Sequence, residues 1–162
     1  MQNRDSFIDL VKKSAIDAGI GWQLVDAIIQ TESSYNCWAT RYEPAIFAGK
    51  DPTQWVKDYA ADLHTSNVAE TELQRFSYGL MQILGTRART LGFQPNLMIL
   101  LNPEINLHYG CKYLSTLVKK YGPADLDSAI AAYNSGTPFK NADGTFKNQK
   151  YVDTVRKFMA NT

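Results

Sequence analysis

The segment AIIQTESSYN, residues 27–36, places an acidic residue on the apolar face of a predicted helix. The apolar residues leading up to it recur with helical spacing, at Leu24, Val25, Ile28 and Ile29. At roughly 100° per residue, Glu32 lies within about 20° of Val25, so its carboxyl is predicted to point toward the core. Burial disfavours the charged form of a carboxyl, which raises its pKa and lets it donate a proton at neutral pH. The same segment also allows a glutamate that ends a helix and leans into solvent.

The composition is typical of one soluble, globular domain. The chain has 162 residues, with 44% hydrophobic and 20% charged residues, enough to build a core without disulfides or metals. Its formal net charge of +1 provides no basic surface for nucleic acid. We therefore expect a single domain over residues 1–162 that is a monomer and has no nucleic-acid partner.

The N-terminal sequence MQNRDSFIDL has no basic region followed by an apolar run, so it does not match a signal peptide. No apolar run in the chain is long enough to span a bilayer. We expect no membrane insertion, and we expect the protein to reach any target outside the cytoplasm by another route.

Cysteine and histidine residues are too scattered to predict a metal site. Cys37 and Cys111 match no metal or redox spacing, and they are either two buried thiols or one disulfide. His64 and His108 are isolated, and neither belongs to a zinc-binding motif. We expect them to be ordinary surface or packed histidines.

The loop at residues 139–150 offers only some of the ligands of a calcium-binding EF-hand. Asn141 and Asp143 occupy the third and fifth positions of such a loop. Phe139 and Lys150 occupy the first and twelfth positions, where the loop requires carboxylates. The calcium interpretation therefore fails, and we expect neither a metal nor any other cofactor.

Helical spacing, capping residues and C-terminal glycines predict further helices before and after the helix that carries Glu32. They lie between residues 7 and 19, 86 and 91, 103 and 121, and 151 and 159. The longest has the clearest start, because Asn102 is a capping residue, Pro103 favours the first helical position and Glu104 complements the helix dipole. The small, apolar segment LDSAIAAYNSG, residues 126–136, can pack its backbone closely against a neighbour. The pattern predicts a mainly α fold.

Two segments are less regular. FSYGLMQIL, residues 76–84, is either a buried strand or a stretch whose glycine lets the backbone pass close to a ligand. Residues 41–75 predict a loop, a short helix that starts at Asp51-Pro52 and includes the amphipathic run Trp55–Leu63, and a second loop. This insertion either decorates the surface or forms one wall of a cleft beside Glu32.

Five short motifs follow one another along the chain. They are ES at Glu32-Ser33, GLMQI at Gly79 to Ile83, NPEINLHYGCKYL at Asn102 to Leu114, AYNSG at Ala132 to Gly136 and YV at Tyr151-Val152. Together they resemble the lysozyme-like catalytic domain of the soluble lytic transglycosylases, a fold shared with goose-type lysozyme. The resemblance covers nearly everything after the first helix. It implies a mainly α, lysozyme-like single domain with a substrate cleft.

The resemblance also implies a substrate and a site. The implied partner is the peptidoglycan glycan strand, cleaved at the β-1,4 bond between N-acetylmuramic acid and N-acetylglucosamine. The catalytic residues are Glu32, which matches the family's single catalytic acid, and Tyr133, which is implied to be oriented toward the Glu32 carboxyl. The predicted substrate-binding residues are Ser33, Met81, Gln82, Asn134 and Tyr151, together with Glu43 from the loop after Glu32.

The implied reaction needs one carboxyl group. Glu32 would protonate the leaving glycosidic oxygen and then accept the proton of the muramic acid C6 hydroxyl, which closes a 1,6-anhydro ring. The first alternative is a hydrolytic muramidase on the same fold, in which Glu43 or another acid of the long insertion positions a water molecule. Glu43 can instead form an ion pair with a neighbour such as Arg41. The second alternative is a glycan-binding module that no longer cleaves.

The chain departs from the family pattern at several positions. Phe76-Ser77-Tyr78 replaces the common Gly-Ala-x before GLMQ, and the stretch from Glu32 to Gly79 is longer than usual. Lys147 stands where many members carry a glutamate four residues before the late tyrosine. Since the sequence shows no recognisable signal peptide or wall-anchoring repeat, we expect a stand-alone domain of the phage endolysin type, delivered to the cell wall by another route.

Overall fold

The computed structural model describes residues 3–47, 56 and 65–162. This part of the chain contains seven α-helices and one small sheet. The helices are α1 (Ile8–Ala18), α2 (Trp22–Glu32), α3 (Asn67–Gln74), α4 (Gly85–Thr90), α5 (Pro103–Tyr121), α6 (Leu126–Ser135) and α7 (Gln149–Ala160). Short 3₁₀ helices lie at Arg4–Ser6, Pro44–Phe47, Leu97–Leu101 and Pro123–Asp125. The predicted mainly α fold is confirmed. None of the described helices has the length and apolar character needed to cross a membrane.

Capping residues set the helix ends where the sequence predicted them. Gly19 ends α1 in a left-handed conformation, with φ of 68°. The Asn102 side chain accepts hydrogen bonds from the backbone N–H groups of Glu104 at 3.0 Å and Ile105 at 3.2 Å. Pro103 is the first residue of α5. The start of the longest helix is therefore determined locally.

The sheet has three antiparallel strands in the order β1 (Thr40–Tyr42), β2 (Phe76–Tyr78) and β3 (Ile83–Leu84). The segment FSYGLMQIL is therefore two short strands joined by a turn at residues 79–82, and not one strand. Arg41 of β1 lies opposite Ser77 of β2. This pairing brings the chain that follows α2 against the turn.

The segment 41–75 differs from its prediction at both ends. Its first residues continue β1, and its last residues form α3, where the sequence predicted loops. The Ser66 hydroxyl caps α3 by accepting a hydrogen bond from the Ala69 N–H at 3.1 Å. Glu70 then forms a buried, two-pronged ion pair with Arg89 of α4, at 2.7 and 3.0 Å. A helix as short as α3 depends on such tertiary contacts, which the sequence pattern does not reveal.

Two predictions fall largely on residues 48–64. The helix start at Asp51-Pro52 and the run Trp55–Leu63 lie outside the described residues, apart from Val56. His64 also lies outside them. The other histidine, His108, is exposed on α5, as the sequence predicted.

Cys37 and Cys111 are both buried, and no disulfide joins them. Of the two alternatives that the sequence left open, the structure contains two separate thiols. Burial raises the pKa of both, and for Cys111 to about 12. Thiols with raised pKa values are poor nucleophiles at neutral pH, so both are structural residues.

Helix α2 packs against α1 and α7, and residues 24–29 are all buried. They include Asp26, whose carboxylate accepts hydrogen bonds from Arg4 Nε at 2.8 Å, from Gln30 Nε2 at 2.7 Å and from the Tyr35 hydroxyl. Burial by itself would raise the pKa of Asp26, but these hydrogen bonds lower it, so the group stays charged and paired. This network holds the helix whose last residue is Glu32.

The turn at residues 79–82 packs directly on α5. Asn106, which has no exposed surface, donates to the carbonyls of Tyr78 at 2.7 Å and Leu100 at 2.8 Å. Its side-chain oxygen accepts from the Met81 N–H at 2.8 Å. Gly79 has φ of 69°, and a Cβ atom there would lie 2.5 Å from Asn106 Nδ2, so only glycine allows this approach.

We expect Asn106→Ala to lower the free energy of unfolding by roughly 3 kcal/mol, because three buried backbone groups lose their partner. Denaturant unfolding of the purified protein measures this change. Asn161→Ala, at an exposed position, is the matched control and should change stability by less than about 0.5 kcal/mol. Equal stabilities of the two variants would contradict the role given to Asn106.

Candidate active site

A cleft of about 430 Å³ opens beside the C-terminal end of α2. Its lining comes from α2, the chain after β1, the sheet, α4, α5 and the end of α6. Five of the eight predicted site residues line it, namely Glu32, Glu43, Gln82, Tyr133 and Asn134. A larger depression of about 530 Å³ lies between α1 and α5, but it contains none of the predicted site residues. We therefore take the smaller cleft as the candidate site.

Glu32 is the buried acid that the sequence predicted. Its side chain is 6% exposed, and burial raises its pKa above the usual range of a glutamate. The Tyr151 hydroxyl donates to Glu32 Oε1 at 2.7 Å, and Arg41 Nη1 lies 3.9 Å from Oε2. Both contacts favour the charged form, but burial outweighs them, and the nearby charge of Glu43 acts in the same direction as burial.

Tyr151, rather than Tyr133, donates a hydrogen bond to Glu32, although Tyr133 is close enough that, besides burial, the charge of Glu32 raises its pKa. The sequence implied that Tyr133 is oriented toward the carboxyl, but its hydroxyl donates to the Met81 carbonyl at 2.8 Å. Tyr151 lies on α7, which packs alongside α2 and brings the hydroxyl to the end of that helix. Burial and the charge of Glu32 raise the pKa of Tyr151, so it stays protonated and remains a donor.

Three of the predicted site residues hold the turn at residues 79–82. The Ser33 hydroxyl donates to the Leu80 carbonyl at 2.7 Å, and the Tyr133 hydroxyl donates to the Met81 carbonyl. Gln82 has φ of 46°, and its side-chain amide donates to the carbonyls of Gly79 and Ala39, each at 3.0 Å. These side chains determine the shape of the cleft floor.

Met81 does not line the cleft. The sequence implied that it contacts sugar, but its side chain is fully buried against α5. A Cβ atom at Gly110 would lie 2.4 Å from its sulfur, so the glycine makes room for it. Met81 faces the core, as does its neighbour Leu80, which is also fully buried. Its link to the site is the carbonyl that accepts the hydrogen bond from Tyr133.

Arg41 lies between the two acids of the cleft. Its Nε atom lies 2.6 Å from Glu43 Oε1, so the ion pair considered from the sequence is present. The same guanidinium reaches toward Glu32. Glu43 therefore lines the cleft while a cation holds it. From the sequence, Arg41 was expected only as a partner of Glu43. The pairing of β1 with β2 brings it into the cleft.

Asn134 is exposed at the end of α6 and lines the cleft. Its side-chain oxygen accepts a hydrogen bond from Asn148 Nδ2 at 3.1 Å, and the same nitrogen donates to the Ala131 carbonyl at 3.0 Å. This contact orients the Asn134 amide, so its NH₂ group is available to the cleft as a donor. Nothing in the local sequence pointed to Asn148, which lies fourteen residues further along the chain.

The cleft has no metal centre in the part of the chain that the structure describes. Residues 3–47, 56 and 65–162 contain no cluster of three histidine, cysteine, aspartate or glutamate side chains that could hold an ion. The reactive groups of the cleft are its carboxyls, guanidinium groups, amides and hydroxyls.

Fold and site together define a mainly α protein with one buried acid at an open cleft. The sequence profile of the family described as the transglycosylase SLT domain matches residues 9–154. The chain therefore belongs to this family. Similar proteins include the membrane-bound lytic murein transglycosylases C of Histophilus somni strains 2336 and 129Pt. Each is 30% identical over 143 residues, which cover 80% of this chain and 31% of the relative. The chain thus spans about a third of the length of these curated relatives.

We expect Tyr151→Phe to raise the pKa of Glu32 further. The lost hydrogen bond favours the charged carboxylate, so its removal leaves the effect of burial less opposed. A pH titration of the Glu32 carboxyl carbon by NMR measures the change.

Tyr133→Phe is the matched control for this titration. It also removes a buried hydroxyl, but one that donates to the Met81 carbonyl, and it leaves the contact between Tyr151 and Glu32 in place. The Glu32 pKa should therefore stay close to that of the parent. If both variants shift the Glu32 pKa equally, the shift comes from looser packing around the cleft and not from loss of the hydrogen bond between Tyr151 and Glu32.

Proposed function

We propose that this chain is a peptidoglycan lytic transglycosylase. In this proposal it cleaves the β-1,4 bond between N-acetylmuramic acid and N-acetylglucosamine and leaves a 1,6-anhydromuramic end. The observation that carries the proposal is Glu32, a buried carboxyl of raised pKa at an open cleft. Membership of the transglycosylase SLT domain family supports the reaction class. The relatives' name, lytic murein transglycosylase, supports the substrate.

Glu32 acts first as the general acid. Its raised pKa favours the protonated form, and the proton moves to the leaving glycosidic oxygen as that oxygen takes the electron pair of the bond to the muramic acid C1. The carboxylate that remains is stabilised by the Tyr151 hydroxyl and by the Arg41 guanidinium. The surroundings of Glu32 therefore serve both protonation states.

Glu32 acts next as the general base. The C6 hydroxyl of the same sugar forms a bond to C1 and gives its proton to the Glu32 carboxylate. The ring closes, the acid returns to its starting state, and no water is consumed. One titrating carboxyl is enough for both steps, and acid–base catalysis of this kind contributes typically 10²- to 10⁴-fold to the rate.

The other predicted site residues support this chemistry in two ways. We assign Ser33, Gln82 and Tyr133 as positioning residues, because each donates to a carbonyl of the turn or its neighbour and so shapes the cleft floor. We assign Asn134 to substrate binding, because its oriented amide lies at the exposed end of α6.

Residues 41–75 form part of the cleft wall in this proposal. Arg41, Glu43 and Ile46 all line the cleft. Arg41 lies in β1, which pairs with β2, and the Glu43 N–H donates to the Arg75 carbonyl at 2.8 Å. Helix α3, at the end of the same segment, is anchored to α4 by the ion pair of Glu70 and Arg89. An insertion that is anchored at both ends can keep a cleft wall in a fixed position beside the substrate. An insertion that only covers the surface would not need these anchoring contacts.

Glu43 favours the transglycosylase over the muramidase. A hydrolytic glycosidase uses a second carboxylate, about 6.5–9.5 Å away when it activates water and about 5–5.5 Å away when it is the nucleophile. Glu43 is the second carboxylate of the cleft lining, and Arg41 holds it at 2.6 Å. The ion pair occupies a carboxylate oxygen that would otherwise be open to a water molecule. The muramidase remains the second candidate, because Glu43 does line the cleft.

We expect Glu32→Gln to abolish peptidoglycan lysis, because an amide keeps the shape of the side chain but cannot exchange the proton. Clearing of purified peptidoglycan measures the activity, which should fall at least about 100-fold. The variant should be at least as stable as the parent at neutral pH, since a buried acid of raised pKa loses stability once it ionises and glutamine does not. Substantial lysis by the folded variant would overturn the assignment of Glu32.

We expect the products to carry 1,6-anhydro ends, lighter by one water than hydrolysed ends. Digestion in ¹⁸O-labelled water followed by mass spectrometry should find no label in them. Glu43→Gln should retain part of the activity and give the same product. Labelled reducing ends, together with inactivity of Glu43→Gln comparable to that of Glu32→Gln, would identify a muramidase instead.

A further inference from the structure

Arg87 differs from the other arginines of this chain. The chain has six arginines, and the five others each lie within ion-pair distance of a carboxylate. Among the residues that the structure describes, Arg87 has no such partner, although it lies on α4 and lines the cleft. A guanidinium that lines a binding cleft without a carboxylate partner is available to a ligand.

An aromatic surface holds Arg87 in place. Its guanidinium carbon lies 4.4 Å from the ring centroid of Tyr113, a nearly buried residue of α5. The Tyr113 ring packs in turn against Tyr133, with centroids 5.3 Å apart. Stacking orients the planar guanidinium and reduces the conformational entropy that it loses on binding. Arg87 thus presents a preorganised fork of N–H donors.

The charges of the cleft make Arg87 its uncompensated cation. The charged residues of the described lining are Glu32, Arg41, Glu43 and Arg87. Glu43 and Arg41 neutralise each other at 2.6 Å. Glu32 is buried beside Arg41 and carries the working proton of the reaction proposed above. A neutral sugar ring would leave the charge of Arg87 unused, but a carboxylate would match it in charge and in geometry.

We propose that Arg87 binds a carboxylate of the peptidoglycan strand and so selects muramic acid substrates by charge. This inference rests on the proposed function, in which Arg87 would determine which substrates bind. Muramic acid carries a lactyl group that ends in a free carboxylate or is joined to a peptide stem, which has carboxylates of its own. Both sources offer the same chemistry to the guanidinium. Arg87 contacts substrate here and takes no part in proton transfer.

The test combines a change in the protein with a change in the ligand. Binding is measured in a Glu32→Gln background, so that turnover does not consume the ligand. The Glu32→Gln protein is compared with the double variant that also carries Arg87→Gln. The affinity of each is measured for soluble glycan strands with free carboxylates and for the same strands with those carboxylates converted to methylamides. Each pair is prepared with intact peptide stems and with the stems removed, to separate stem from lactyl carboxylates.

We expect Arg87→Gln to weaken binding of at least one free-carboxylate strand about tenfold, as for a lost charge-assisted hydrogen bond. Capping the carboxylates should weaken binding of the parent by a similar factor and leave the Arg87→Gln variant unchanged. The preparation that shows this coupling identifies the source of the carboxylate. Arg87→Lys should retain part of the affinity, because it keeps the charge but loses the planar fork.

Arg156→Gln is the matched control. It makes the same substitution at an exposed arginine of α7 that pairs with Asp127, and it should bind every strand like the parent. If Arg87 only supports Tyr113, Arg87→Gln will weaken capped and free strands equally, and that result overturns the inference. Unchanged binding by Arg87→Gln, with lysis by the wild-type chain intact, also overturns it but leaves the proposed function standing. A wild-type chain that neither binds nor cleaves peptidoglycan refutes both.

Discussion

The hydrogen bonds made to the turn at residues 79–82 are the constraint on which the site depends. A buried peptide group without a partner costs stability, so each carbonyl of this turn needs a donor. Ser33 donates to the Leu80 carbonyl from the end of α2, and Tyr133 donates to the Met81 carbonyl from α6. From α5, Asn106 donates to the carbonyl of Tyr78, just before the turn, and accepts from the Met81 N–H. Because the three donors lie on different helices, the turn can be satisfied only when those helices are correctly placed. The shape of the cleft floor and the packing of the core are therefore set together.

The pKa of Glu32 follows from its position at the end of α2, beside this turn. The acid ends a buried helix, so its charged form is poorly solvated. The contacts from Tyr151 and Arg41 stabilise the carboxylate and lower the pKa of Glu32. The effect of burial is larger, so the pKa remains raised. Asp26, six residues earlier on α2, has the opposite balance: hydrogen bonds from Arg4, Tyr35 and Gln30 lower its pKa despite complete burial. One helix thus carries two buried acids whose pKa values differ because their donors differ.

The structure places most of the residues named by the motifs around one cleft, but several of their contacts differ from those that the resemblance implied. Ser33, Gln82 and Tyr133 were expected to contact sugar or the acid, but each donates a hydrogen bond to the backbone. Met81 was expected in the cleft and is buried. A sequence motif shows which side chain occupies a position but not what that side chain contacts. A polar side chain that binds a ligand therefore cannot be distinguished, from sequence, from one that donates to a backbone carbonyl. The distinction depends on where the turn lies against α5.

Local rules determined what the sequence alone could establish. Helical spacing placed Glu32 on the buried face of α2, and capping by Asn102 fixed the start of α5, because these effects act over a few residues. Only the tertiary structure decided that Tyr151, 119 residues further along the chain, donates to Glu32. It also decided that Arg41 and Arg87 share the cleft and that a helix closes the segment before FSYG. These contacts depend on how helices and strands pack, and packing is determined by the whole core rather than by any single stretch of sequence.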